Sequence, residues 1–232
     1  MFKTRLVIFC LAAAVLLPSA GYSARSSSPG VFKGTGTLER VVKEVTKRQK
    51  SVLSLQATFK QEKILGLLAQ PETSSGTFFY QKPNRVLWNY AEPKPVTIVI
   101  NNGRLTTYYP QLNKAETLEV SRYQDKIFKY MGATSALDDL ANYFDFTFTD
   151  RAGDPFRLDL KPNNKLVARR VKSITIWIDR EQYITSKFEY VEKDGDVTRY
   201  EFKNIKINSP IPAEKFTLKL PPNTRVEQLK TN

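Results

Sequence analysis

The sequence has no histidine and a single cysteine, Cys10, in 232 residues. Cys10 sits inside an apolar run, Leu6 to Leu17, preceded by Lys3 and Arg5 and followed by Pro18 and small residues. That order reads as a secretory signal peptide, residues 1–24, cut after Gly21, Ser23 or Ala24. With it gone, neither a thiol nor an imidazole remains. This excludes disulfides, cysteine nucleophiles, Ser-His-Asp triads and the usual zinc sites, so no metal, cofactor or catalytic residue is expected. The run is too short for a membrane span, and no comparable stretch follows. A disulfide-free exported chain of this size fits a bacterial periplasm, its core supplying its stability.

Acidic residues are also scarce, 23 against 36 basic, for a formal charge of +13. Removing Lys3 and Arg5 with the signal leaves +11. Such a charge suits an anionic partner. Export argues against nucleic acid and for anionic lipid or an acidic protein surface, with a merely solubilising charge as the equal alternative.

What the chain does have is alternation. Residues 25–36 are Ser/Gly-rich and aperiodic, a flexible leader; residues 37–232 read as one domain. Thr37 opens a helix in which Leu38, Val41, Val42 and Val45 share a face. From Val52 the period becomes two: Leu53, Leu55, Ala57 and Phe59 alternate with polar residues. Two aromatic runs, "SGTFFYQ" and "RVLWNY", then flank the Lys82-Pro83-Asn84 turn. Asn102-Gly103 and Asp194-Gly195 mark further hairpins. The pattern breaks at Arg122–Phe144, where Ile127, Tyr130 and Met131, then Leu137 and Leu140, fall at helical spacing. Strands resume to the end, with a bulge near Lys203 or Asn204 and a last strand through Phe216, Leu218 and Leu220. The expected fold is mainly β (α+β): a large antiparallel sheet, long enough to curl, with an N-terminal helix and a short helical insertion.

The aromatic hairpin is apolar at both odd and even positions, so both sheet faces need cover or a ligand. On composition alone, core under a helix is the favoured reading. Val86, Trp88 and Tyr90 are chosen as the inward phase because Arg85 and Asn89 hold the other. Ile174, Ile176 and Ile178 are chosen likewise against Thr175 and Asp179. Leu65, Leu67 and Leu68 lie between strands, either folded onto the core or free to touch a membrane or partner. Asp138 with Asp139, or Asp145 with Asp150, are the carboxylate pairs a hydrolase would need, but nothing positions a nucleophile beside them.

The motif G-x-F-x-Y-x-K-P-x-R-x-x-W-x-Y, Gly76 to Tyr90, together with "INNGRLTTYYP" and "AEKFTLKLPP", resembles the periplasmic lipoprotein carriers of the LolA type, from about Leu38 to Pro222. The resemblance implies an unclosed half-barrel whose apolar cavity holds acyl chains under a helical lid. It implies a non-enzymatic, monomeric carrier that takes an acylated lipoprotein, or another acyl lipid, from an inner-membrane transporter to an outer-membrane receptor. On that reading Val86, Trp88, Tyr90, Ile174, Ile176 and Ile178 line the cavity, and Ile127, Tyr130, Met131, Leu137 and Leu140 belong to the lid. Lys82 takes the place of a lid-latching basic residue that is Arg in many members; a lysine is a point charge, not a fork of donors. Thr106 stands where an aromatic is frequent, and Asn102 where Asp is. An acyl-lipid or glycolipid binding or sensing module on the same fold is the alternative. The exported chain is expected to begin between Tyr22 and Arg25 with no attached lipid. Intact-mass measurement checks this, and an acylated cysteine in the mature protein would refute it.

Overall fold

A computed structural model describes residues 36–66, 70–121, 140 and 142–229. Helix α1 runs from Gly36 to Ser51 and buries Leu38, Val41, Val42 and Val45. Arg40, Lys43, Lys47 and Lys50 lie exposed on its other side. Glu39 in the first turn and Arg48 and Lys50 in the last complement the helix dipole.

The alternating segments become the strands of one sheet. In chain order these are β1 (Ser54–Ile64), β2 (Glu72–Gln81), β3 (Arg85–Glu92), β4 (Val96–Asn101), β5 (Arg104–Tyr109), β6 (Lys114–Glu119), β7 (Phe144–Thr149), β8 (Phe156–Pro162), β9 (Val171–Ile178), β10 (Thr185–Glu192), β11 (Val197–Ile207) and β12 (Arg225–Gln228). A short helix, α2 (Lys165–Ala168), joins β8 to β9, and Asn164 caps it by accepting from the Leu166 and Val167 amides. The sheet has twelve strands in the order β12-β6-β5-β4-β3-β2-β1-β11-β10-β9-β8-β7, and its two end strands do not meet. The expected large, unclosed sheet with an N-terminal helix is therefore found.

Local chemistry accounts for the turns. Asn102 and Gly103 both adopt positive φ, 49° and 75°, as a two-residue hairpin with matching twist requires. In β11 the register against β1 shifts by one residue between the pairs Gln56↔Lys206 and Thr58↔Lys203, with Asn204 at φ 52°. This is the bulge that the change of phase from Tyr200 and Phe202 to Ile205 and Ile207 demands.

The C-terminal expectation is corrected. Ala213–Phe216 is a 3-10 turn, and no strand runs through Leu218 and Leu220. Pro210, Pro212, Pro221 and Pro222 crowd this stretch, and proline supplies no ladder donor. Phe216 instead drops beneath Leu87 and Val99 with Ile211, while Asn101 Nδ2 donates to the Phe216 carbonyl at 3.2 Å. The last strand is β12, which lies parallel to β6.

Gly76, the first residue of the hairpin motif, occupies a place with no room for a side chain. A Cβ there would stand 2.0 Å from the Asn89 carbonyl oxygen and 2.9 Å from Phe59 Cζ. Backbone cannot yield as a flexible side chain would. Gly76→Ala is expected to destabilise the fold by about 3 kcal/mol or more. Urea denaturation measures it, and a loss under about 1 kcal/mol would show that the two strands can part there without cost.

Candidate functional site

Cross-strand pairing settles which side chains share a face. From Phe148 on β7 the pairs run through Leu158, Ile176, Phe188 and Tyr200 to Gln61 on β1. From Ala57 on β1 they run through Phe78, Trp88, Ile98, Thr107 and Glu116 to Glu227 on β12. Side chains alternate between faces along β1, so Ala57 and Gln61 lie on one side. Both rows therefore belong to one inner face, apolar across most of its width. Val86, Trp88 and Tyr90 lie on it in one buried cluster; Ile174, Ile176 and Ile178 lie on it in a second. Phe188 packs against both clusters and makes them continuous.

The two halves of this face are covered differently. Over β7 to β10, α1 inserts Leu38, Val41, Val42 and Val45 among Leu158, Leu160 and Ile178. Over β1 to β6, the described cluster is built from the strands themselves with Val52 and Val120. Aromatic rings fill it. Phe59 meets Trp88 edge-on at 4.8 Å and Tyr90 at 4.9 Å, and Phe78 lies 4.5 Å from Trp88. The empty position at Gly76 is what admits the Phe59 ring. Pairs of this kind contribute about 0.5–1.5 kcal/mol each beyond their buried area.

The inner face is not wholly apolar. Gln61 Nε2 donates to the Tyr200 hydroxyl at 2.7 Å, and the Tyr200 and Tyr90 hydroxyls are 3.2 Å apart. At the β6 side, Lys114 Nζ donates at 2.7 Å to both Glu116 and Glu227, and the Tyr109 hydroxyl donates to Glu116 at 3.4 Å. Burial, reinforced by the Glu116 carboxylate, pushes the Tyr109 phenol far above its ordinary range. Burial alone raises Tyr80 to about 12. Both phenols therefore remain neutral donors at any physiological pH.

The opposite phase of the aromatic hairpin is hidden as well. Leu87 is buried with Val99, Ile211 and Phe216, with Phe79 and Leu218 against them. Among the described residues, the C-terminal segment thus covers the outer face over the aromatic hairpin. Arg85 and Asn89 are half-buried and paired, Arg85 donating to Gln81 Oε1 at 3.0 Å and Asn89 Oδ1 accepting from Thr97 at 3.0 Å. Thr175, read as water-seeking, is buried and donates to Asp159 at 2.8 Å.

Lys82, expected to latch the helical insertion, is engaged with the end of α1. Its Nζ donates to the Lys50 carbonyl at 2.9 Å and the Gln49 carbonyl at 3.3 Å. Those carbonyls are among the last four of a helix, which have no partner within it. Asn208, at φ 57°, works from the other side: its Nδ2 donates to the Ser51 carbonyl, and its Oδ1 accepts from the Leu53 amide at 2.7 Å. Of the expected lid, Ile127, Tyr130, Met131 and Leu137 lie outside the described residues; Leu140 is half-buried against the cluster beneath α1. Leu65 is half-buried, and Leu67 and Leu68 lie outside the described residues.

Other candidate chemistry is engaged in structure. Asp145 accepts from Asn163, and Asp150 pairs with Arg180. Asp138 and Asp139 lie outside the described residues. Glu192, Asp194 and Asp196 bring carboxylate oxygens within 4.8 Å of one another, but at the tip of the β10–β11 hairpin, where Asp194 accepts from the Asp196 amide and Asp196 from the Gly66 amide. A feature not singled out in the sequence is Trp177 on the outer face. Lys187 Nζ stands 4.5 Å from its ring and Arg157 5.6 Å, beside a groove of about 460 Å3 that Arg151 and Glu201 also line. Its charged walls do not suit alkyl chains. The lysine and arginine come from neighbouring strands, and only pairing brings them to Trp177.

A family model described as outer membrane lipoprotein carrier protein LolA matches residues 50–219. An outer-membrane lipoprotein carrier protein of Alkalilimnicola ehrlichii is 29% identical over 168 residues, covering 66% of this chain and 74% of its own. One from Francisella tularensis subsp. tularensis is 27% identical over 199 residues, covering 84% and 92%. Among solved structures, an uncharacterized conserved protein from Thermus thermophilus superimposes with a TM-score of 0.53 at 10% identity, over 83% of this chain and 99% of that one. That last likeness is one of fold.

Lys82→Ala is expected to speed amide exchange over the last turn of α1 and to lower stability by about 1 kcal/mol. Hydrogen exchange read by mass spectrometry tests this. Unchanged exchange at Gln49 to Val52 would show that Asn208 holds the helix end without help.

Proposed function

Because the chain belongs to the LolA family of outer membrane lipoprotein carriers, we propose that it is a periplasmic carrier that binds the acyl chains of lipoproteins on the inner face of its sheet and shuttles them from the inner to the outer membrane. The observation that supports this most directly is the inner face itself. It is a largely apolar surface continuous across two clusters, and among the described residues α1 covers the half over β7 to β10 where an ordinary sandwich would place a second sheet.

A helix held at its end by Lys82 and Asn208 is a cover that can lift without breaking a strand ladder. Burying alkyl chains against Val86, Trp88, Tyr90 and the isoleucines of β9 is favourable by about 0.8 kcal/mol per methylene. Affinity on that scale needs no covalent step or nucleotide. The demand falls on release, so the cargo face is best built from side chains that also satisfy one another when the cargo leaves. The Phe59, Phe78, Trp88 and Tyr90 rings already pack together in this way. An inner-membrane transporter would load the chain and an outer-membrane receptor would unload it. The excess of basic side chains, +13 overall, suits approach to an anionic surface.

The test is extraction. Incubated with vesicles carrying a labelled acylated lipoprotein, the purified chain is expected to bring the label into the soluble fraction, while a version of that protein lacking its acylated cysteine stays unbound. Native mass spectrometry should show a one-to-one complex. Recovery of free lipid without any acylated polypeptide would replace the lipoprotein carrier with an acyl-lipid binding module.

A further inference from the structure

Among the described residues, two buried polar groups on the inner face, on Trp88 and Thr107, have no hydrogen-bond partner. Trp88 is 9% exposed and Thr107 0%, and neither the indole Nε1 nor the threonine Oγ1 reaches an acceptor or solvent. Both lie on one row of cross-strand pairs, Trp88↔Ile98 and Ile98↔Thr107. Native folds keep few donors sealed from water without an acceptor, because each loses the bond it had with water. Two on one row point to an acceptor that arrives with a ligand.

The surroundings define that acceptor. On one side the row continues through Phe78, with Phe59 against Trp88, where only hydrocarbon fits well. On the other it meets Glu116, 8% exposed, whose charge is held by Lys114 and Tyr109. A phosphate brought there would face a buried carboxylate at close range, which disfavours it. A neutral acceptor attached to an alkyl chain meets both conditions.

We infer that Trp88 Nε1 and Thr107 Oγ1 donate to the ester carbonyl oxygens of an O-acyl lipid, whose chains run toward Phe78 and Phe59 and whose head points toward Glu116 and β12. This rests on the carrier reading and adds to it a polar subsite with an orientation. The apolar face alone would accept any long chain. The two donors would select chains that carry a carbonyl at their root.

The experiment compares two fluorescent diglycerides of equal chain length, one ester-linked and one ether-linked, the ether lacking only the carbonyl oxygens. The full chain is expected to prefer the ester by about five-fold for each hydrogen bond made. The readout is the ester-to-ether affinity ratio within each protein, which cancels changes in apolar packing. Thr107→Val and Trp88→Phe are each expected to shrink that ratio, and together to bring it near one. Thr107→Val should also leave the ligand-free melting temperature unchanged or raised, since it replaces an unpartnered hydroxyl by a methyl of like shape. Equal affinities in the unmodified protein, or a ratio that Thr107→Val leaves intact, would overturn the inference. A lower melting temperature for Thr107→Val would do the same by showing that the hydroxyl is satisfied within the fold. If Trp88→Phe fails to fold, the Thr107→Val ratio decides alone. If neither probe binds, the carrier reading itself falls, and this subsite with it.

Discussion

The register of β1 against β11 is the contact on which the rest of the molecule depends. These strands join the half of the sheet that runs to β12 to the half that runs to β7. A slip of one residue would turn every side chain of one half to the opposite face. Phe59 opposite Phe202 and Gln61 opposite Tyr200 keep large rings on the same side as Trp88 and Phe188. The bulge beside Asn204 absorbs the mismatch farther along, where Ile207 faces Leu55. Without that extra residue, either the ring cluster or the approach to Asn208, which holds α1, would be out of phase.

An apolar surface on both sides of one sheet is an unusual arrangement, and the chain meets it with two kinds of cover. The outer side receives the proline-rich C-terminal segment, whose Ile211 and Phe216 pack on Leu87 and Val99. That cover is continuous with the sheet through β12. The inner side receives α1 over β7 to β10, packed through Leu38 to Val45 and held at its C-terminal end by side chains from two loops and by Arg48 Nε donating to the Gln182 carbonyl at 2.8 Å. Local stability follows from such differences: backbone held by ladders opens rarely, and backbone held by a few side-chain bonds opens often. The β7 to β10 half of the proposed cargo face thus lies under the more easily released of the two.

Much of the fold was legible from period and turn chemistry. Alternation placed Val86, Trp88 and Tyr90 together and Ile174, Ile176 and Ile178 together, and pairing shows the two sets on one face. Asn102-Gly103 and Asp194-Gly195 marked hairpins because they tolerate positive φ, as Gly195 does at 100°. Other features depend on contacts between residues far apart in sequence, to which period is blind. Phe216, Leu218 and Leu220 alternate like a strand, yet the prolines around them leave no ladder to join. A latch at Lys82 is implied only by the resemblance, and its observed acceptors lie 32 and 33 residues away on α1. Thr107 and Glu116 look like ordinary strand residues until the sheet's order sets them on one row with Trp88. Gly76 shows why glycine in a strand is informative: it marks where a ring from the next strand takes the space of a side chain.

An open sheet has two free sides, and each is a template on which another copy could polymerise. The tail deals with one of them. By lying parallel to β6, β12 replaces a six-residue ladder with a four-residue one that carries Arg225 and Glu227, the latter tied to Lys114. A short charged rim is a poor nucleus for fibre growth, because few backbone bonds form before like charges meet. The parallel return of the last strand therefore acts as an end-stop. A sheet that ended on β6 would instead offer a six-residue ladder to a second copy.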